Sequence, residues 1–300
     1  MTNNNELHGV VVPIITPVDD EDRVDESAFR KVVRYLIGAG VHGLFVGGSA
    51  GEGPLFTMTE WVRMMEIALD EAQNEINLLG GVMDTSTRRV IEKINVLRDI
   101  GYQKYAVSPT YYIALHSGEE HLRLFGACKE AAPAMEMIAY NIPSCTGSTV
   151  SVDAFLEMAR RGWLRCCKES SGDPDLLLPL IERGRELGLK VLVGEERLMY
   201  EGLLAGGVGM VPVGANYEPE TYIRIYDAGL RGDEEELSRQ VERARYVCGA
   251  LTGGTNWLAG IKYALSQRDL CSGRPLSPLQ PTGEERKKLI DSITPPDRRI

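Results

Sequence analysis

The chain has 300 residues, 43% apolar and 25% charged, with a formal net charge of −10. Those fractions are ordinary for a globular protein with a sizeable core, and the acidic balance argues against a nucleic-acid surface, which needs a basic stripe. Met1 to Leu7 lacks the basic-then-apolar pattern of a secretory signal, and no apolar run approaches the roughly 18 residues of a membrane span. A cytoplasmic protein with neither a membrane nor a nucleic-acid partner is expected.

The elements follow a repeated alternation. Val10 to Ile15 is a β-branched run ending at Thr16-Pro17. Phe29, Val32, Val33 and Leu36 then mark one apolar face of a helix over about 26–37, stopped by Gly38-Ala39-Gly40. Gly43 to Val46 is the next strand, followed by a glycine-rich loop and a helix over about 59–73. The unit recurs with strands at 76–80, 104–107, 135–140, 164–168, 190–194 and 208–212. Helices follow these at about 87–100, 119–130, 152–161, 174–187, 197–205 and 218–230. Eight short apolar strands with helical crossovers indicate a parallel sheet covered on both faces. At this spacing they favour a closed (β/α)8 TIM barrel over 1–231. The remainder, 232–300, is expected to be a C-terminal helical region with helices at about 234–248, 257–266 and 284–293, and not an independent module.

In such a barrel the active site lies at the C-terminal ends of the strands. That rule selects Thr16, Ser49, Tyr111, Tyr112, Tyr140, Lys168, Glu195 and Glu196. The focus is Lys168, at the end of the sixth strand in Cys166-Cys167-Lys168-Glu169-Ser170-Ser171-Gly172-Asp173. A desolvated lysine loses its proton and becomes an amine nucleophile toward a carbonyl; the bland alternative is a surface lysine paired with Glu169 or Asp173. Lysine, phenols and hydroxyls together suit imine chemistry. The six cysteines form no C-x-x-C pair, and with only four histidines they make neither a disulfide framework nor a zinc site. Reduced thiols and no metal are expected.

Two motifs and two residue pairs point elsewhere and are set aside. Gly47-Gly48-Ser49-Ala50-Gly51 matches the G-x-S-x-G nucleophile elbow, but a hydrolase needs a later histidine and none follows His121. An anion-binding turn, whose glycines let backbone N–H groups approach a carboxylate, fits better. Gly38 to Gly43 matches G-x-G-x-x-G in the wrong order, after a helix and before a strand. His116 and His121 are expected to be solvated or helix-capping. Cys166 and Cys167 alternate across a strand, so one of them faces the barrel interior as a small filler.

Gly47 to Gly53, Tyr140-Asn141-Ile142-Pro143, Gly147 and Lys168 to Asp173 together resemble the dihydrodipicolinate synthase and N-acetylneuraminate lyase family of class I Schiff-base aldolases. Thr16-Pro17, Gly206 to Gly209 and Asn216 agree in order and spacing, and the likeness runs from about Gly9 to Ala215 in the barrel and more loosely to the end. The resemblance implies a cofactor-free lyase, usually a homotetramer built as a dimer of dimers. It forms an imine between Lys168 and a 2-oxo acid, typically pyruvate. It also implies that Tyr140 carries protons, that Ser49 hydrogen-bonds Tyr140, and that Tyr111 completes the relay, often from a neighbouring subunit's side. Backbone N–H groups of Ser49 and Ala50 would hold the carboxylate. The iminium supplies the electron sink for carbon–carbon bond making or breaking.

The departures from the family pattern concern the second substrate. Ala50 replaces the loop's second hydroxyl. Cys145 stands where the synthase has an arginine that clamps a carboxylate, which argues against 4-hydroxy-tetrahydrodipicolinate synthase itself. Glu196 falls near the position where the lyase branch binds sugar hydroxyls with an aspartate, and Pro212 where it has a serine. The expectation is therefore a lyase pairing pyruvate with a hydroxylated or sugar-acid-derived aldehyde. The alternatives are a dehydratase or deaminase of a 2-oxo acid on the same lysine, or the synthase; a non-catalytic 2-oxo acid binder ranks last.

Overall fold

Short strands that pair only with their sequence neighbours leave two edges, and joining those edges closes a barrel. In the computed structural model, which describes residues 6–253 and 256–293, the strands do so. They are β1 (Gly9–Pro13), β2 (Gly43–Val46), β3 (Asn77–Gly81), β4 (Lys104–Val107), β5 (Glu136–Asn141), β6 (Cys166–Glu169), β7 (Lys190–Val193) and β8 (Gly209–Met210). Each lies parallel to the next, and β8 returns to β1 through Gly9↔Gly209 and Val10↔Met210. A Cβ on Gly209 would lie 2.2 Å from Gly9 O, so only glycine allows the seam to close. Most of the polar N-terminal stretch, and the end of the expected C-terminal region, lie outside the described residues.

Strand alternation sorts the side chains into two cores. Val10, Val12, Leu44, Val46, Tyr105, Val107, Ala139 and Cys167 face outward to the helices. Val11, Phe45, Leu79, Ala106, Ile138, Tyr140, Cys166 and Leu192 fill the barrel. Of the adjacent cysteines, Cys166 is therefore the interior one. Lys168, two residues further on, points inward with it.

The outer layer consists of α1 (Glu26–Gly38), α2 (Met58–Ala72), α3 (Thr87–Ile100), α4 (Gly118–Ala131), a short α5 (Pro143–Thr146), α6 (Val152–Arg160), α7 (Pro174–Arg185), α8 (Met199–Leu204) and α9 (Pro219–Arg231). Side chains of Asp25, Thr57, Ser86, Ser117, Ser151 and Asp173 cap their helices, each worth about 1 kcal/mol. Beyond the barrel come α10 (Glu234–Thr252), α11 (Trp257–Ser266) and α12 (Glu284–Ile293). Leu237, Val241, Ala244, Val247 and Leu251 of α10 join the outer core. A Cβ on Gly260 of α11 would meet Leu251 O at 2.0 Å, so glycine lets α11 press against the end of α10. Among the described residues no helix is long and apolar enough to cross a membrane.

Four local differences from the sequence expectations have physical causes. β6 runs one residue past Lys168, because Glu169 pairs with Asn141 and Val193. β8 is only two residues long, since Pro212 has no N–H to extend the ladder and Val213–Asn216 turns as a 3₁₀ helix. α5 was not anticipated: Pro143 presets its first turn and Gly147 ends it at φ 65. His121 is neither solvated nor capping. It is buried, its Nε2 lies 2.7 Å from Ser148 Oγ, and burial lowers its pKa.

Candidate active site

Lys168 ends its inward path inside the barrel mouth, with 4% of its surface exposed. Its Nζ lies 4.0 Å from the ring centre of Tyr140 and 5.1 Å from that of Phe45. Among the described residues Nζ makes no hydrogen bond or ion pair, so only the two ring faces favour the charged form. Desolvation pulls its pKa from the ordinary 10.5 to about 7, with Cys145 opposing weakly. The surface-lysine alternative fails on geometry. Glu169 points out of the barrel and is held by Asn141 Nδ2 at 3.0 Å and Ser171 N at 2.7 Å, while Asp173 caps α7. Gly194 lets the lysine take this path, since a Cβ there would sit 1.8 Å from Ser170 Oγ and 2.8 Å from Lys168 Cε.

The β5–β6 register makes Tyr140 and Lys168 direct neighbours. Burial raises the Tyr140 phenol pKa, with Ser49 and Ser170 pulling it back down. The phenol therefore stays protonated near neutral pH, as a proton donor must. Ser170 Oγ is buried without a partner of normal hydrogen-bond geometry. Ser49 Oγ lies 3.9 Å from Cys145 Sγ.

The turn after β2 is tightly folded. Glu52 N donates to Ser49 O at 3.2 Å, Gly53 N to Gly48 O at 3.2 Å, and Thr16 Oγ1 to Gly51 O at 2.8 Å. Gly47 sits at φ 67, and its carbonyl packs where a Cβ on Gly81 would come within 2.6 Å. Ser49 and Ala50 line the cavity. Among the described residues neither backbone N–H has a hydrogen-bond acceptor, so both donors remain available to an anion.

The cavity measures about 410 Å³. Besides Lys168, Tyr140, Ser49, Ala50, Cys145 and Ser170, its walls include Ser144, Glu195 and Glu196 from the barrel loops, Val211 and Val213 around the end of β8, and Cys248, Thr252 and Trp257 from the C-terminal helices. Lys168 is the sole cationic side chain among the described lining residues. α5 carries Cys145 into this wall. The Glu196 carboxyl is committed elsewhere, accepting from Gly214 N at 2.8 Å and Tyr222 Oη at 2.9 Å. Burial raises its pKa against those bonds and one with Cys248. Glu195 accepts from Arg197 Nε at 3.0 Å. Pro212 is buried outside the lining, and its neighbours Val211 and Val213 form the wall instead.

The two tyrosines after β4 part company. Tyr111 packs against the inner core and lines a separate cleft with Asp84, Arg89 and Pro54. Tyr112 is 94% exposed at φ 76, beside the 75% exposed Ile113. Sequence reasoning did not single out Ser170, Gly194, Phe45, Cys248, Thr252 or Trp257. Ser170 and Gly194 lay within quoted motifs and carried that much signal. The three from α10 and α11 carried none, because only folding brings those helices to the barrel mouth.

The model of the dihydrodipicolinate synthetase family matches residues 6–294. The chain is 33% identical over 239 residues to the 4-hydroxy-tetrahydrodipicolinate synthase of Methanothermobacter thermautotrophicus, covering 78% of this chain and 83% of that one. It is 30% identical over 278 residues to the N-acetylneuraminate lyase of Salmonella agona, covering 91% and 92%. Among solved structures, the dihydrodipicolinate synthase of Bacteroides thetaiotaomicron superposes with a TM-score of 0.88 at 26% identity, covering 95% of this chain and 97% of that one. A buried, deprotonatable lysine beside a tyrosine at the mouth of a parallel barrel is what such likeness requires, and the chain belongs to the dihydrodipicolinate synthetase family of class I, Schiff-base lyases.

Proposed function

We propose that the protein joins or separates pyruvate and an uncharged, hydroxylated aldehyde through an imine on Lys168. The observation that carries this is the buried Lys168 amine, without a hydrogen-bond or ion-pair partner among the described residues and with a pKa of about 7, 4.0 Å from the Tyr140 ring. The neutral amine attacks the C2 carbonyl of the 2-oxo acid. Tyr140 donates its proton to the carbinolamine oxygen, which leaves as water and gives the iminium. The Tyr140 phenolate takes a C3 proton, which places the electron pair in an enamine. The enamine adds to the aldehyde carbon while Tyr140 gives the proton to the aldehyde oxygen. Water then hydrolyses the iminium, which frees Lys168 and returns a proton to Tyr140. The reverse sequence cleaves the product. Ser49 supports Tyr140, and the Ser49 and Ala50 N–H groups hold the carboxylate.

An uncharged partner is supported by Cys145 and by the lack of any cation besides Lys168 among the described lining residues. A second carboxylate would enter without a counter-charge, which is costly in a buried site. Ser144, Thr252 and Glu195 offer hydrogen bonds to hydroxyls, whereas Glu196 braces the wall from behind. We propose for Tyr111 the relay role that the family resemblance implies, supported by its packing against the inner core, while its ring lines the neighbouring cleft with Asp84 and Arg89. Tyr112 and Ile113 are the residues exposed for a neighbouring copy in a cytoplasmic homotetramer. The test is pyruvate-dependent consumption of aldehydes. Neutral hydroxyaldehydes should turn over at least tenfold faster, as kcat/KM, than carboxylated aldehydes of similar length, and Tyr140→Phe should lower kcat about a hundredfold with little change in pyruvate affinity. Preference for carboxylated aldehydes would refute the uncharged-partner assignment.

A further inference from the structure

The turn that carries Ser49 and Ala50 is pinned on its inner side by the barrel and on its outer side by the C-terminal region. The outer pin is Glu52. Its side chain and that of Lys262 on α11 are both fully buried and form an ion pair. Glu52 Oε1 also accepts from Leu276 N at 2.8 Å. Glu52 occupies the left-handed region, at φ 55, which is disfavoured for a side chain with a Cβ.

A buried ion pair is a poor source of stability, because desolvation offsets most of its attraction and an apolar pair of similar size packs as well. What an ion pair adds is direction. It fixes where one carboxylate, and the backbone behind it, must stand. Here that backbone begins two residues after Ala50, and its N–H closes the turn onto Ser49 O. We infer that Glu52 and Lys262 are positioning residues: through them the C-terminal helices hold the Ser49–Ala50 turn in the shape that receives the 2-oxo acid's carboxylate. This deepens the proposed function and rests on it for the identity of the ligand.

The test compares pyruvate binding by calorimetry, and borohydride trapping, in the parent, in Glu52→Gln and in the double variant Glu52→Gln/Lys262→Met. The double variant removes both charges, so no uncompensated ion is left inside. Pyruvate Kd and the half-saturating concentration for trapping should rise at least tenfold in both variants, while the maximal trapping rate changes less than threefold. Glu52→Asp, which restores the charge, should recover part of the affinity. Folded variants with parental Kd would overturn the inference, as would variants that unfold in every case, since the pair would then serve stability alone. If the parent itself gives no adduct, the imine assignment fails, and the Kd comparison still decides the role of Glu52 and Lys262.

Discussion

At the scale of single residues, Lys168 holds a position that a folding protein would otherwise avoid. Its side chain is buried without an ion-pair partner among the described residues, and the protein tolerates this by letting it go neutral at about pH 7. The unfolded chain keeps Lys168 charged up to about pH 10.4, so it binds more protons than the folded chain between about 7 and 10.4, and the parent gains stability as pH rises through that window. Replacing the lysine removes the penalty. Lys168→Met should therefore be more stable than the parent, by up to about 5 kcal/mol at pH 6 and about 2 kcal/mol at pH 9. Urea titrations of both proteins at the two pH values check this. An equal difference at both would mean that Lys168 titrates normally. The chemistry should follow the same group, with trapping at low pyruvate rising about tenfold per unit below pH 7 and levelling above it.

At the scale of elements, the barrel was legible because its signals are local and redundant. Apolar strands and amphipathic helices alternate eight times, six of those helices carry a side-chain cap, and each repeat says the same thing. Lys168, Tyr140 and Ser49 were legible because strand ends in such a barrel converge on one mouth. α5 was not, since four residues carry no periodicity, and neither was the wall from α10 and α11, whose residues look like ordinary helix. Glu196 was legible as a residue at the mouth but not in its direction, which Tyr222 and Gly214 set from distant parts of the chain. The loop after β4 shows the same limit. Two adjacent tyrosines are alike in sequence, yet backbone geometry sends Tyr111 inward and Tyr112 out. Tyr112, Ile113, Leu55 and Met58 are large apolar side chains exposed on the loops and helix start after β2 and β4. Their exposure is the ground for expecting contact with a second copy. On the proposed assembly the parent sediments as a tetramer at micromolar concentration and Tyr112→Asp/Ile113→Asp shifts it to smaller species; a monomeric parent would refute the assembly, and an unchanged assembly in the variant would place the interface elsewhere.

At the scale of the molecule, barrel and C-terminal helices serve one cavity. The barrel supplies Lys168, Tyr140 and the Ser49–Ala50 turn, and α10 and α11 supply Cys248, Thr252 and Trp257 to the wall. Lys262 reaches back to Glu52 behind that turn. Each part depends on a close backbone approach: Gly209 against Gly9 at the barrel seam, Gly260 against Leu251 at the helical end, and Gly194 beside Lys168 at the site. On the proposed function, Lys168 forms an imine with a 2-oxo acid. That claim is tested most directly by incubating the protein with pyruvate and borohydride and mapping the modified peptide by mass spectrometry. A single reduced pyruvyl adduct on Lys168, absent without pyruvate and absent in Lys168→Ala, is the expected result. An unmodified Lys168 at saturating pyruvate and pH 8, or an adduct that persists in Lys168→Ala, would contradict it.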